Sequence, residues 1–280
     1  MSAPKVYLHY TQEELNRNFD QRSWAPNAHE VIARYPQMSA ATRSRLQHRA
    51  GVAYGPGADE TLDIFPAPGL GRPVQVFVHG GAWRHFGKDD YSFVAEAFVP
   101  AGIATVVLNF TNLPQIRLPG MIDQVRRALE WVHRHAQGFG GDPARIHVSA
   151  HSSGAHLAAN ALQQVDFVRS AALASGPYFL EPALLSHRSE YLRLEGDEVR
   201  RLSPGLNAHR LRCPVLVAYA ENDTDEFRRQ SREFAAGLEA AGRLLGLMAC
   251  EKVNHFELME RWADPGHEWT RAMLELFKPI

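Results

Sequence analysis

Ser152 sits in the run Ala150-His-Ser-Ser-Gly154, after the β-rich stretch Ile146 to Ser149 and before the helical Ala155-His-Leu-Ala-Ala-Asn-Ala-Leu162. A strand that turns sharply into a helix lifts a serine hydroxyl clear of a sheet, and small residues two before and two after it let strand and helix approach closely. Here the first small residue is alanine rather than glycine, and taken alone the run also fits an incidental serine turn. A second run, His79-Gly80-Gly81-Ala82-Trp83, follows the strand Val74 to Val78. Glycines there leave backbone N–H groups free to face a developing oxyanion, so Gly80, Gly81 and the N–H of Ser153 form a candidate oxyanion hole. The competing reading is a plain glycine turn.

A serine at its free pKa needs a base within hydrogen-bond reach. There are 14 histidines, but only His255 lies just beyond the terminal strand, expected at Leu247 to Val253, where such a base belongs. His79 is read as orienting the glycine loop, and His151 and His156 as packing around the serine turn. An acid to orient the base should follow the strand Val215 to Tyr219, where Glu221-Asn-Asp-Thr-Asp-Glu226 offers carboxylates. Position alone leaves Asp223 and Asp225 as rivals, with Glu221 weaker. The order serine, acid, histidine along the chain is that of the α/β-hydrolase fold, unlike the chymotrypsin and subtilisin orders.

These residues require a sheet to hold them. Seven β-rich runs, Leu62 to Phe65, Val74 to Val78, Ile103 to Leu108, Ile146 to Ser149, Ala171 to Ala174, Val215 to Tyr219 and Leu247 to Val253, alternate with helical patterns. The helices are expected at Tyr91 to Val99, Pro119 to Ala136, Ser153 to Gln164, Glu226 to Ala241 and Trp269 to Phe277. Alternation of this kind predicts an α/β protein with a mainly parallel central sheet and helices on both faces. Residues 1–280 read as one domain. Residues 1–50 read as a helical N-terminal cap, opened by a Thr11/Glu14 capping box, and residues 178–211 as an insertion over the active site.

Bulk properties narrow the partner. Apolar residues make up 45%, charged residues 22%, and the net charge is −1, so no overall field draws the chain to nucleic acid or an anionic membrane. A small-molecule substrate fits better. Cys213 and Cys250 lie in apolar runs and read as reduced core residues. With no secretory pattern and no apolar run near the length of a span, a cytoplasmic protein is expected. Gly138-Phe-Gly-Gly-Asp142 follows a helix and precedes a strand, the reverse of a dinucleotide fingerprint, and reads as a turn. His133 and His135 point to different helix faces, and no cluster has metal-ligand spacing, so no metal is expected. Arg228-Arg229 reads as a solvated helix face.

With these residues in place, the chain resembles the kynurenine formamidases (arylformamidases) of the α/β-hydrolase type, which are related to the hormone-sensitive-lipase-like esterases. The resemblance runs through Glu14-Leu15-Asn16, Leu62-Asp63-Ile64-Phe65-Pro66, His79-Gly-Gly-Ala-Trp83, Lys88-Asp89, Gly141-Asp142-Pro143, the serine turn and Ser203-Pro204. Its most specific stretch is Asp223-Thr-Asp-Glu-Phe-Arg-Arg-Gln-Ser231, whose register selects Asp223 over Asp225. Asn254-His255-Phe256 is similar to the family's catalytic histidine segment. The resemblance implies a Ser152, His255, Asp223 triad that hydrolyses N-formylkynurenine to kynurenine and formate through a formyl-enzyme, without a cofactor. A carboxylesterase, or an amidase of another arylamide, would use the same triad, and a non-catalytic receptor on the same scaffold would have lost a triad member. Trp83, Phe86, Phe110, Tyr178 and Phe179 are candidates for the substrate's aromatic wall. Apolar surface on the insertion leaves room for a homodimer.

Overall fold

The computed structural model describes residues 3–278. The chain opens with a small antiparallel pair, β1 (Lys5–Tyr7) and β2 (Tyr10–Thr11), then α1 (Gln12–Asn18) and α2 (Ala28–Arg45). The capping box forms as expected: the Thr11 hydroxyl accepts from the Glu14 N–H, and Glu14 accepts from the Thr11 N–H at 2.7 Å. The hairpin before it is not foreseen by the sequence reading. Its strands, of three and two residues, are too short to carry an alternating pattern.

There follow β3 (Arg49–Ala53), β4 (Thr61–Phe65), β5 (Arg72–Val78), β6 (Ala104–Leu108), α3 (Leu118–His135), β7 (Gly141–His151), α4 (Ser153–Ala161) and β8 (Val168–Ala174). Then come α5 (Glu181–Leu185), α6 (Glu198–Arg201), β9 (Val215–Ala220), α7 (Asp225–Ala240), β10 (Leu244–Cys250), α8 (Glu257–Glu260) and α9 (Glu268–Glu275). Eight strands make one sheet in the order β10-β9-β8-β7-β5-β6-β4-β3. All neighbours from β10 through to β6 run parallel, and the pairs β6-β4 and β4-β3 are antiparallel. This is the α/β-hydrolase fold.

Three differences from the sequence reading have physical causes. β3 escapes it because Arg-Ala-Gly-Val-Ala is an exposed edge with Gly51 at φ +65°, and only pairing with β4 makes it a strand. Tyr91 to Val99 is not an α-helix. A 3₁₀ turn, Ser92–Ala95, and further turns take its place, in a segment buried nearly all round, where helical periodicity has no polar face to mark it. β10 lies three residues earlier than Leu247 to Val253 because its register is set by β9, with Cys250 opposite Ala220.

The central strands read as continuous apolar runs, as strands covered on both faces must. Val74, Val76 and Val78 face one core with Ile146, Val148 and α3 residues, whereas Phe77 and Val107 face the other with Tyr35, Phe98 and Trp262. Register brings Val78 opposite Ala150 and Ala150 opposite Leu173. The carboxyl ends of β5, β7, β9 and β10 therefore open on one rim of the sheet, where ligands of such sheets bind. Among the described residues no helix is long and apolar enough to cross a membrane.

Candidate active site

At the end of β7 the backbone turns through Ser152 with φ 55° and ψ −131°, a conformation a non-glycine residue holds only where its surroundings over-determine it. They do so here. The Ser152 N–H donates to the Ala174 carbonyl at 2.9 Å. A Cβ on Gly154 would stand 2.3 Å from the carbonyl oxygens of Val78 and His79, so only glycine fits. Ala150 is fully buried between β5 and β8, where its methyl group is accommodated.

The structure brings Ser152, His255 and Asp223 together. His255 Nε2 lies 2.9 Å from Ser152 Oγ, and His255 Nδ1 lies 2.8 Å from Asp223 Oδ1. Asp223 Oδ2 accepts from the Ser175 hydroxyl at 2.5 Å. A carboxylate accepting at Nδ1 fixes the tautomer whose Nε2 can take the serine proton. The helix cap explains which aspartate turns inward. Thr224 is the N-cap of α7, its side chain accepting from the Phe227 N–H. Asp223 therefore precedes the helix and is buried, whereas Asp225 falls in the first turn, exposed and paired with Arg228. Glu221 is exposed and accepts from the Lys252 N–H at 2.8 Å.

The loop carrying His255 is braced from the other end of the chain. Asn254 Oδ1 accepts from the N–H groups of Phe256 and Glu257, and its amide donates to Asn27 Oδ1 at 2.8 Å. Asn27 in turn donates to Glu257, and the Tyr35 hydroxyl donates to the Phe256 carbonyl at 2.6 Å.

The glycine turn lies against the serine. A Cβ on Gly80 would come within 2.9 Å of both Ser152 Cβ and the His151 carbonyl oxygen. Gly81, at φ +123°, accepts from the N–H groups of Arg84 and His85. The N–H groups of Gly80 and Gly81 donate to no described residue, and that of Ser153, first in α4, has no intrahelical partner. Lys88 Nζ reaches the buried Asp63 at 3.1 Å and anchors the loop beyond to β4.

Three histidines surround this turn. His79 stacks on Phe110 with ring centroids 4.2 Å apart, contacts the Gly80 carbonyl through Nδ1, and is pushed down to about 4 by burial. His156 accepts from Trp83 Nε1 at 3.3 Å and meets the Leu202 carbonyl at 2.8 Å, tying α4 to the 178–211 segment; burial takes it to about 4. His151 packs 4.5 Å from the His255 ring, and burial followed by the charge of His255 holds it well below the usual histidine range.

Beside Ser152 and His255 opens a cleft of about 250 Å³. Phe19, Tyr35, Phe86, Tyr91, Tyr191 and Phe256 give it aromatic walls, and Asp20, Arg84, His85, His187, Arg188 and Glu190 add polar groups. Of the five aromatic residues expected from sequence, only Phe86 lines it. Trp83 turns inward and braces α4 through its own N–H to Ser153 Oγ. Phe110 packs under His79, Tyr178 stacks on Phe234 at 4.0 Å, and Phe179 fills the space beside Gly205. Proximity in sequence to the motifs is only a partial guide: Phe86, Tyr91 and Phe256 lie near the glycine turn and His255, whereas Phe19, Tyr35 and Tyr191 come from the N-terminal segment and the 178–211 segment. No spacing signal marks Phe19, Arg188 or Tyr191.

Residues 62–166 match the BD-FAE family. The kynurenine formamidase of Danio rerio is 30% identical over 288 residues, spanning 95% of this chain and 96% of that protein. Esterase LipQ of Mycobacterium tuberculosis is 30% identical over 238 residues, 74% of this chain and 56% of that protein. A crystal structure from Silicibacter sp. TM1040 superposes with a TM-score of 0.83 at 23% identity, covering 94% of this chain and 98% of that one.

Proposed function

The chain belongs to the kynurenine formamidase family, a hydrolase family of the formamidase and esterase type, and on that premise we propose that it hydrolyses an N-formyl arylamide, N-formylkynurenine in particular, to the arylamine and formate. The observation that carries this reading is the hydrogen-bonded line from Ser152 Oγ through His255 to Asp223, opening on an aromatic-walled cleft.

In the proposed reaction Ser152 Oγ attacks the formyl carbon while His255 Nε2 takes the hydroxyl proton. The negative charge passes to the formyl oxygen, where the N–H groups of Gly80, Gly81 and Ser153 stabilise it; one such donor is worth about 3 to 4 kcal/mol of barrier height. His255 then gives its proton to the amide nitrogen, the C–N bond breaks and the arylamine departs. Water, deprotonated by His255, adds to the formyl-serine, and the C–O bond breaks as His255 returns that proton to Ser152 Oγ, releasing formic acid, which ionises to formate. Asp223 holds the imidazole and stabilises its cationic form without taking the proton. The cytoplasm is the proposed compartment, supported by the free, buried thiols of Cys213 and Cys250.

The likeness to esterase LipQ favours a second reading, an esterase acting on aryl or alkyl esters with the same residues. The deciding experiment is kcat/KM on N-formylkynurenine beside p-nitrophenyl acetate, with Ser152→Ala as background. A preference for the formamide supports the first reading, and activity on the ester alone leaves the second. Absence of covalent labelling of the wild type by a fluorophosphonate would count against both.

A further inference from the structure

A buried cation is ordinarily compensated by a carboxylate. Arg188, on the 3₁₀ turn His187–Glu190, is only 4% exposed and departs from that rule in the wall of the cleft. Its Nε and Nη2 donate to the Phe19 carbonyl at 3.2 and 2.9 Å, and Nη2 also to Gln21 Oε1 at 2.8 Å. These acceptors are neutral. Nη1 is buried and meets no acceptor, and no carboxylate of the described residues comes within 4.0 Å of the guanidinium.

The surroundings sharpen this imbalance. Cζ lies 5.3, 5.7 and 5.8 Å from the rings of Phe19, Trp83 and Phe227. Aromatic faces attract a cation yet exclude water, so an anion docking here would feel the charge little screened. Burial lowers the Arg188 pKa, and Tyr191 and the Asp20 carboxylate of the same cleft, which lies beyond contact distance, oppose that effect only in part. Phe227 also stands edge-on to the His255 ring at 5.5 Å, so the guanidinium and the candidate base share one neighbour. With the Nε hydrogen and both Nη2 hydrogens directed at Phe19 and Gln21, Nη1 is the free end of the guanidinium, able to donate a charge-assisted hydrogen bond to a carboxylate.

Resting on the arylformamidase reading of this cleft, we infer that Arg188 is a specificity-determining residue that binds a carboxylate carried on the non-reacting part of the substrate, making anionic aryl amides the preferred class. The competing role is structural, a strut joining the N-terminal segment to the 178–211 segment. The two differ in what a substitution does to substrates of different charge.

The test compares wild type, Arg188→Met and Arg188→Lys on N-formylkynurenine and on its α-carboxamide, which differs only in lacking the carboxylate charge. Wild type should favour the carboxylate by about 10- to 100-fold in kcat/KM, the range of a charge-assisted contact. Arg188→Met should erase that preference, chiefly through KM, while changing the carboxamide by less than about 3-fold, and Arg188→Lys should restore part of it. Equal wild-type rates on the pair overturn the inference, as does an equal loss on both in Arg188→Met. Should Arg188→Met fail to fold, Arg188→Lys, which keeps the charge but lacks the free Nη1 end, must still narrow the preference. An ester pair, p-nitrophenyl hydrogen succinate and p-nitrophenyl acetate, separates this inference from the proposed function. An Arg188-dependent preference for the succinate without formamide hydrolysis refutes the formamidase and keeps the subsite, whereas formamide hydrolysis blind to the carboxylate does the reverse.

Discussion

The two halves of the cleft are built by different means. The half holding Ser152, the glycine turn, Asp223 and His255 stands on the carboxyl ends of β5, β7, β9 and β10, where sheet register and tight turns set each position. The half holding Phe19, Arg188 and Tyr191 is made of irregular segments, held by side-chain ties such as Arg188 to the Phe19 carbonyl and Gln12 to the Leu185 carbonyl at 2.7 Å. In the first half the backbone restricts residue type, and in the second it does not. The first should govern turnover and the second substrate affinity.

The strongest attempt to break that division is Ser152→Ala or His255→Ala. Either should lower kcat by roughly 10⁴- to 10⁶-fold while leaving thermal unfolding nearly unchanged, measured by single-turnover assay and calorimetry. A loss under 100-fold would remove Ser152 from the reaction. Next in size, Asp223→Asn should cost about 10³- to 10⁴-fold in kcat, because the amide no longer selects the right tautomer, whereas Asp225→Ala should cost less than about 3-fold. Matching losses at the two aspartates would contradict the helix-cap argument that turns only one of them inward.

A smaller effect concerns stability. His79 and His156 are pushed down to about 4 by burial, and His151 is held well below its usual value. Below the unfolded value near 6.5 the unfolded chain takes up protons that these sites refuse. The stability present above pH 6.5 is therefore lost as pH falls from 6.5 towards 4, by up to about 1.4 kcal/mol per pH unit for each histidine. Urea midpoints across that range should show the slope, and His79→Phe, which keeps the stack on Phe110, should make it shallower. An unchanged slope would show that His79 does not contribute. Smallest of all, Tyr191→Ala should raise KM for aryl substrates by about 10-fold and move kcat by less than about 3-fold. A larger change in kcat would blur the two halves.

Legibility in the sequence follows the same line. Gly154 and the glycine turn could be read because a Cβ at Gly154 or Gly81 would meet backbone, so the residue type records the geometry. Asp223 and Asp225 were rivals by position, and the threonine cap between them is the local signal that separates one from the other. The substrate wall left no such record. Trp83 and Phe110 have the composition expected of it yet pack inward, while Arg188 reaches the cleft through contacts 167 to 169 residues apart in the chain. Turns constrain residue types, but long-range packing only selects among many that would fit.

The brace on the His255 loop has a consequence for how activity first arises. Tyr35 and Phe256 are 221 residues apart, and Asn27 and Asn254 are 227 apart. Contacts so distant in sequence close late, since the loop entropy must be met before they return anything. On dilution from denaturant, hydrolysis should therefore trail the recovery of helical signal. A chain still attached at its carboxyl end to whatever made it would carry every residue of the constellation and remain silent until its two ends had met.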